Sequence, residues 1–268
     1  MLVAAAPAAG GQSTPRPAAA PAPALPYAPL TSLILRSPII VDSAIRSAVK
    51  LTGPQAAGVA PGKVRLYVEA DVLALVRGEA GLPARIGWVL DVTPEAGGRL
   101  PRLKKQRMLV FARAIPGFAA QLQLTGDDAQ QPWTPALDTR TRAIIRETIS
   151  PDAPPRITGV GNAFHVPGAL PGEGETQVFL QTENGRPVSL SVLRRPGEAP
   201  RWAVALSEIV DEAAAPPPRD TLLWYRLACG LPPKLPDSAV AAMATEDADS
   251  AHADYAFVIA SLGPCTRR

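Results

Sequence analysis

Side chains able to do acid–base work near neutral pH are scarce in this chain, which has two histidines in 268 residues. His165 stands in the run GNAFHVPG, three residues after Asn162 and flanked by Gly161 and Gly168, whose lack of a Cβ lets backbone come close to a ligand. That pattern fits a binding loop; a histidine that merely satisfies a backbone carbonyl fits it too. His252, near Asp249 and Asp254 in a polar stretch, reads as a solvated loop residue. The acidic pairs Asp127-Asp128 and Asp211-Glu212 contain the carboxylates a glycosidase needs, but acids at strand ends before Pro-rich turns serve as solvated turn residues. No GxSxG elbow, SxxK, HExxH or phosphate-binding loop occurs, and no ligands cluster as a zinc site requires. The sequence therefore assigns no catalytic residue, no metal ligand and no cofactor.

Cationic groups are the next resource. Arg99, Arg102, Lys104, Lys105 and Arg107 form the densest cluster, suited to phosphates of nucleic acid or lipid headgroups. The aromatic platforms that stack single strands are missing from it, so nucleic acid is disfavoured and a solvated hairpin tip is the simpler reading. A net charge of +3 demands no polyanionic partner. Arg194-Arg195 closes a strand in the second half and joins Asn162 and His165 as a candidate binding residue pair. Cys229 and Cys265 sit in no CxxC or metal spacing. They are either two separate buried thiols or, in an oxidising compartment, one cross-link that adds roughly 3 kcal/mol by restricting the unfolded chain.

The elements that must position these groups follow from periodicity. Residues 1–30 open on the small apolar run MLVAAAPAA and continue as an Ala/Pro tether, a stretch too poor in bulky apolar side chains to order itself. They read as a disordered arm or a signal-peptide remnant, with folded structure expected near Thr31. No run of about 20 apolar residues marks a membrane-spanning segment. Alternation then predicts strands over 39–51, 63–76, 85–92, 106–115 and 119–124, joined by Pro- and Gly-bearing turns. Thr134-Pro135 predicts a helix start, with Leu137, Thr141, Ile144, Ile145 and Ile149 as its apolar stripe. The Pro-rich segment from Pro151 to Pro155 marks a boundary, giving a first unit over 31–150 and a second over 151–268.

The strand rhythm of residues 38–125, with its "LVRG" turn and the run "RMLVFA", resembles a small closed barrel of the OB or netrin-module kind. The resemblance implies a five-stranded barrel; the cysteines that mark netrin modules are absent, so that family's inhibitor activity does not carry over.

The second unit is predicted as an antiparallel meander over 176–206 packed on a helix, DTLLWYRLAC from Asp220, followed by an acidic linker over 237–254 and a last strand, YAFVIASL. Taking Glu183-Asn184-Gly185 as a three-residue loop sets Leu180 opposite Val188 and Val178 opposite Leu190, which gathers the apolar side chains on one face. The whole is a mainly β chain with a few helices (α+β). Its poverty of catalytic residues, its tether and its paired cysteines lead to the expectation of an exported, periplasmic cell-envelope protein with a non-enzymatic binding or structural role towards a protein or envelope component. High Ala and Pro with only five lysines fits a high-GC bacterial source. The alternative is a hydrolase or transferase with a non-standard site near His165.

Overall fold

A computed structural model describes residues 25–79, 81–207 and 215–265. Most of the expected tether and the pair Asp211-Glu212 lie outside the described residues. The first five strands are β1 (Ile39–Lys50), β2 (Val64–Arg77), β3 (Arg85–Val92), β4 (Arg107–Ile115) and β5 (Phe118–Leu124). They pair in the order β1-β2-β3-β5-β4, and β4 returns to β1, so the sheet closes into the five-stranded, OB-like barrel. Every pairing is antiparallel except β3 with β5, parallel at Gly87 and Trp88. Three register shifts along β1 let that long strand bend enough to serve two neighbours. The barrel interior is filled by Val41, Ile45, Leu66, Val68, Ile86, Trp88 and Val110.

One further strand was not anticipated. β6 (Gln130–Pro132) pairs with β4, and its Gln-Gln-Pro composition lacks any β-branched or aromatic signal. It has a clear role: the buried Trp88 indole N–H donates to Gln130 Oε1 at 2.8 Å, satisfying a donor that would otherwise be stranded in the barrel core.

Helical structure is present before Thr31, where folded structure was expected. Helix α1 (Tyr27–Leu35) buries Tyr27, Leu30, Leu33 and Ile34, an i, i+3, i+4 stripe that the preceding Ala/Pro repeats do not have. Helix α2 (Pro135–Ile149) follows the barrel, and the Thr134 hydroxyl accepts from the Leu137 amide at 3.1 Å. Thr141, Ile144 and Ile145 of its expected stripe are buried, but Ile149 is 68% exposed because the helix ends there, before Pro151, and leaves the core.

The second half contains a four-stranded antiparallel sheet in the order β10-β9-β8-β7. Its strands are β7 (Ile157–Pro167), β8 (Gly174–Thr182), β9 (Val188–Arg194) and β10 (Arg201–Ala205). Leu180 pairs with Val188 and Val178 with Leu190, so the three-residue loop sets the register as expected, and Gly185 takes φ 73. The Thr182 hydroxyl donates to the Arg186 carbonyl across its base at 2.8 Å.

The C-terminal region departs from expectation. The acidic "linker" and the apolar "strand" are one element, helix α5 (Thr245–Leu262), reached from α3 (Leu222–Gly230) through the short α4 (Asp237–Val240). Ala251, Asp254, Tyr255, Val258 and Leu262 recur at three- and four-residue spacing and are buried, a helical period that starts inside the stretch read as linker. Glu246 and Asp247 in its first turn favour the helix N-terminus, and Gly263 ends it. α5 packs on β7 and β8, while α3 lies against β7, α5 and the first two helices.

A single apolar cluster runs through both halves. It joins α1, the outward side chains Ile40, Leu109 and Phe111 of the barrel, Ile144 of α2, and Val178, Leu190 and Trp202 of the second sheet. The Glu147 carboxylate of α2 ties three helices at its rim. Its Oε2 accepts from the Tyr27 hydroxyl at 3.2 Å and from the Leu222 amide, the first of α3, at 3.0 Å. Cys229 at the end of α3 and Cys265 beyond α5 are cross-linked, with Cα atoms 5.3 Å apart. Among the described residues no helix is long and apolar enough to cross a membrane.

Candidate functional site

Of the four residues singled out from sequence, Asn162, His165 and Arg194 fall on one sheet, but not on one face. His165 on β7 is directly opposite Thr176 on β8, and Arg194 at the end of β9 is opposite Gly174. His165 and Arg194 thus share the same end of the sheet. Asn162 sits in a bulge of β7, where the register shifts between Val160 and Ala163, and is exposed. Arg195 is exposed past the strand end and has no ion pair with any described residue.

What joins His165 to Arg194 is a pair of residues, Thr176 and Asp254, that no sequence motif marks. His165 Nδ1 is 2.8 Å from the Thr176 hydroxyl, which donates to Asp254 Oδ2, while Arg194 Nε donates to Asp254 Oδ1. Since the Thr176 proton goes to the carboxylate, His165 Nδ1 donates to Thr176 Oγ1. Thr176 and Asp254 are both fully buried, and the Arg194 side chain keeps 34% exposure. Gly174 makes room for the ring, since a Cβ there would stand 2.8 Å from His165 Cε1. The arrangement, His165–Thr176–Asp254–Arg194, fastens α5 to the sheet by charge-assisted hydrogen bonds. Chemically it lacks an exposed nucleophile, because the one hydroxyl in it is enclosed.

The other candidates resolve into structural partners. Asp127 pairs with Lys63 at 2.8 Å and Asp128 with Arg36, so the first acidic pair ties the loop after β5 to the start of β2 and to the end of α1. His252 stands on α5, not in a loop, half-buried with Nε2 3.7 Å from Asp237. Within the basic cluster Arg102, Lys104 and Lys105 are exposed. Arg107 is committed: it grips the buried Asp42 at 2.9 and 2.6 Å and covers the Trp133 ring, its guanidinium carbon 3.5 Å from the ring centre. Among the described residues no three His, Cys, Asp or Glu side chains converge as a metal ion would need.

A different place in the fold has the geometry of a ligand site. Between α1, α3 and the start of β7 lies a cleft of about 960 Å³. Ser32 and Arg36 come from the end of α1, Arg156 from β7's entry, Glu183 from the hairpin tip, and Tyr225 and Arg226 from α3. Ser32 and Tyr225 hydroxyls are 2.8 Å apart. Burial foremost, and weakly Arg156, push the Arg226 guanidinium below its usual value, against the opposing pull of Tyr225 and Glu183. A second cleft of about 480 Å³ lies on the barrel over β2, β3 and β5, but its one arginine is already paired: Arg65 holds Asp91 at 2.7 and 2.8 Å and the Ala57 carbonyl at 3.0 Å. The first cleft is not legible in the sequence, because its residues come from four separated segments.

No known protein-family model matches the chain, and no curated protein matches it in sequence.

Proposed function

We propose that this is an exported cell-envelope protein that works by binding, not by catalysis. The observation that carries the reading is the Cys229–Cys265 cross-link, which fixes the end of α5 to α3. Such a bond persists in oxidising compartments and is rare where thiols are kept reduced. The enclosure of Thr176 and Asp254 supports the non-enzymatic part, since the best-placed histidine spends its Nδ1 proton inside the fold.

The test is alkylation of free thiols in intact cells before lysis, combined with fractionation. The expected outcome is a protein outside the cytoplasm in which neither cysteine is labelled until reductant is added. Recovery from the cytoplasm with both thiols labelled overturns the reading.

A further inference from the structure

We infer that the cleft between α1, α3 and β7 is a binding site for an organic anion bearing one carboxylate or phosphodiester group, held by Arg156 and Arg226. This rests on the binding reading above, but not on the compartment.

Charge accounting selects the ligand class. Of the three guanidinium groups around the cleft, Arg36 is already neutralised by Asp128. Arg156 and Arg226 have no ion pair among the described residues, and Glu183 opposes them without reaching salt-bridge distance of either. The uncommitted charge is therefore two guanidiniums against one carboxylate, a surplus of a single positive charge, matched to a monoanion.

Geometry adds an independent observation. Arg226 Nε is buried and has no hydrogen-bond partner. A buried donor left unmade is costly, and a guanidinium offers its donors as a flat fork that carboxylate and phosphate oxygens fit two at a time. With Nε closed off from solvent, an anion in the cleft would meet the Nη end of the Arg226 guanidinium and relieve the repulsion from Arg156. The volume speaks for more than a bare ion: about 960 Å³ lies at the upper end of what small-molecule sites enclose. Leu35, Ile157 and the Cys229 end of the cross-link line the cleft as surface for an apolar body.

The experiment is a titration of the disulfide-intact full chain, labelled with ¹⁵N, following the Arg Nε–H resonances. Benzoate and diphenyl phosphate supply the two anionic groups, and benzamide is the neutral counterpart. Saturable movement of the Arg226 signal with at least one anion and not with benzamide is expected; which anion binds tighter names the group. Arg156→Gln, at an exposed position, should weaken that affinity about tenfold. Glu183→Gln should tighten it about threefold, an effect of opposite sign that a damaged fold cannot mimic. Failure of both anions to move the signal by about 10 mM overturns the site, as does equal movement with benzamide or indifference to both substitutions. Anion binding by a protein recovered from the cytoplasm would sink the export reading alone, and an exported protein without anion binding would sink this site alone.

Discussion

Asp254 is the most demanding residue in the molecule, a carboxylate with no exposure whose charge is met by one guanidinium and one hydroxyl. The two ends of that ion pair are not equivalent. Removing Arg194 leaves a buried anion with a single hydroxyl donor, whereas removing Asp254 leaves a guanidinium that is already one-third exposed and can turn to water. Arg194→Met is therefore expected to cost about 3–5 kcal/mol, and Asp254→Ala distinctly less. Urea unfolding of both variants checks the order, and equal losses would contradict it. His165 and Arg194 were legible as candidates because histidine and paired arginines stand out in any sequence. Thr176 and Asp254 were not, since a threonine at a strand start and an aspartate in an acidic stretch look solvated until α5 is seen as a helix. On the helical period Asp254 falls beside Ala251, Tyr255 and Val258, and that is the signal that would have found it.

At the scale of elements, alternation and turn chemistry were sufficient wherever one short strand followed another. All five barrel strands, the helix capped by Thr134 and the hairpin register came from such local patterns. The hairpin supplies its own test. Gly185 has open space around it, so a side chain there meets no clash and suffers only the left-handed backbone at φ 73. Gly185→Val should lower stability by about 1–2 kcal/mol in thermal or denaturant unfolding, and an unchanged midpoint would refute the loop assignment. Local pattern failed for β6, which exists through a partner strand and one indole, and for α5, whose stripe begins in a segment of mostly small and acidic residues. It failed as well for the cleft, since no window of sequence contains α1, β7, the hairpin tip and α3 together.

The apolar cluster shared by the barrel, the helices and the second sheet makes the molecule sensitive to alkali at two points. Tyr27 is raised above the ordinary phenol value of 10.0 by burial first and then by Glu147, and Tyr255 by burial, its hydroxyl donating to the Pro232 carbonyl at 2.8 Å. A raised phenol favours its neutral form in the folded state, so both groups leave stability intact below the unfolded value and erode it as pH climbs through and beyond that value. The phenolate absorbance of Tyr27 and Tyr255 should appear together with unfolding. Ionisation of Tyr27 and Tyr255 at the ordinary phenol value in a folded protein would contradict this. Tyr27→Phe and Tyr255→Phe together should move the alkaline unfolding limb upward.

The position of Asp254 along the chain carries a consequence for assembly. The carboxylate that meets Arg194 and Thr176 resides on α5, the last helix among the described residues, more than fifty residues after β9 has been made. A chain emerging from its N-terminal end, from a ribosome or a translocation pore, presents the four-stranded sheet with its end group uncompensated and its apolar face uncovered until that helix arrives. The barrel strands precede all of this. Vectorial synthesis thus imposes an order in which the second sheet is completed after the barrel, and the cross-link at Cys265 follows the arrival of α5.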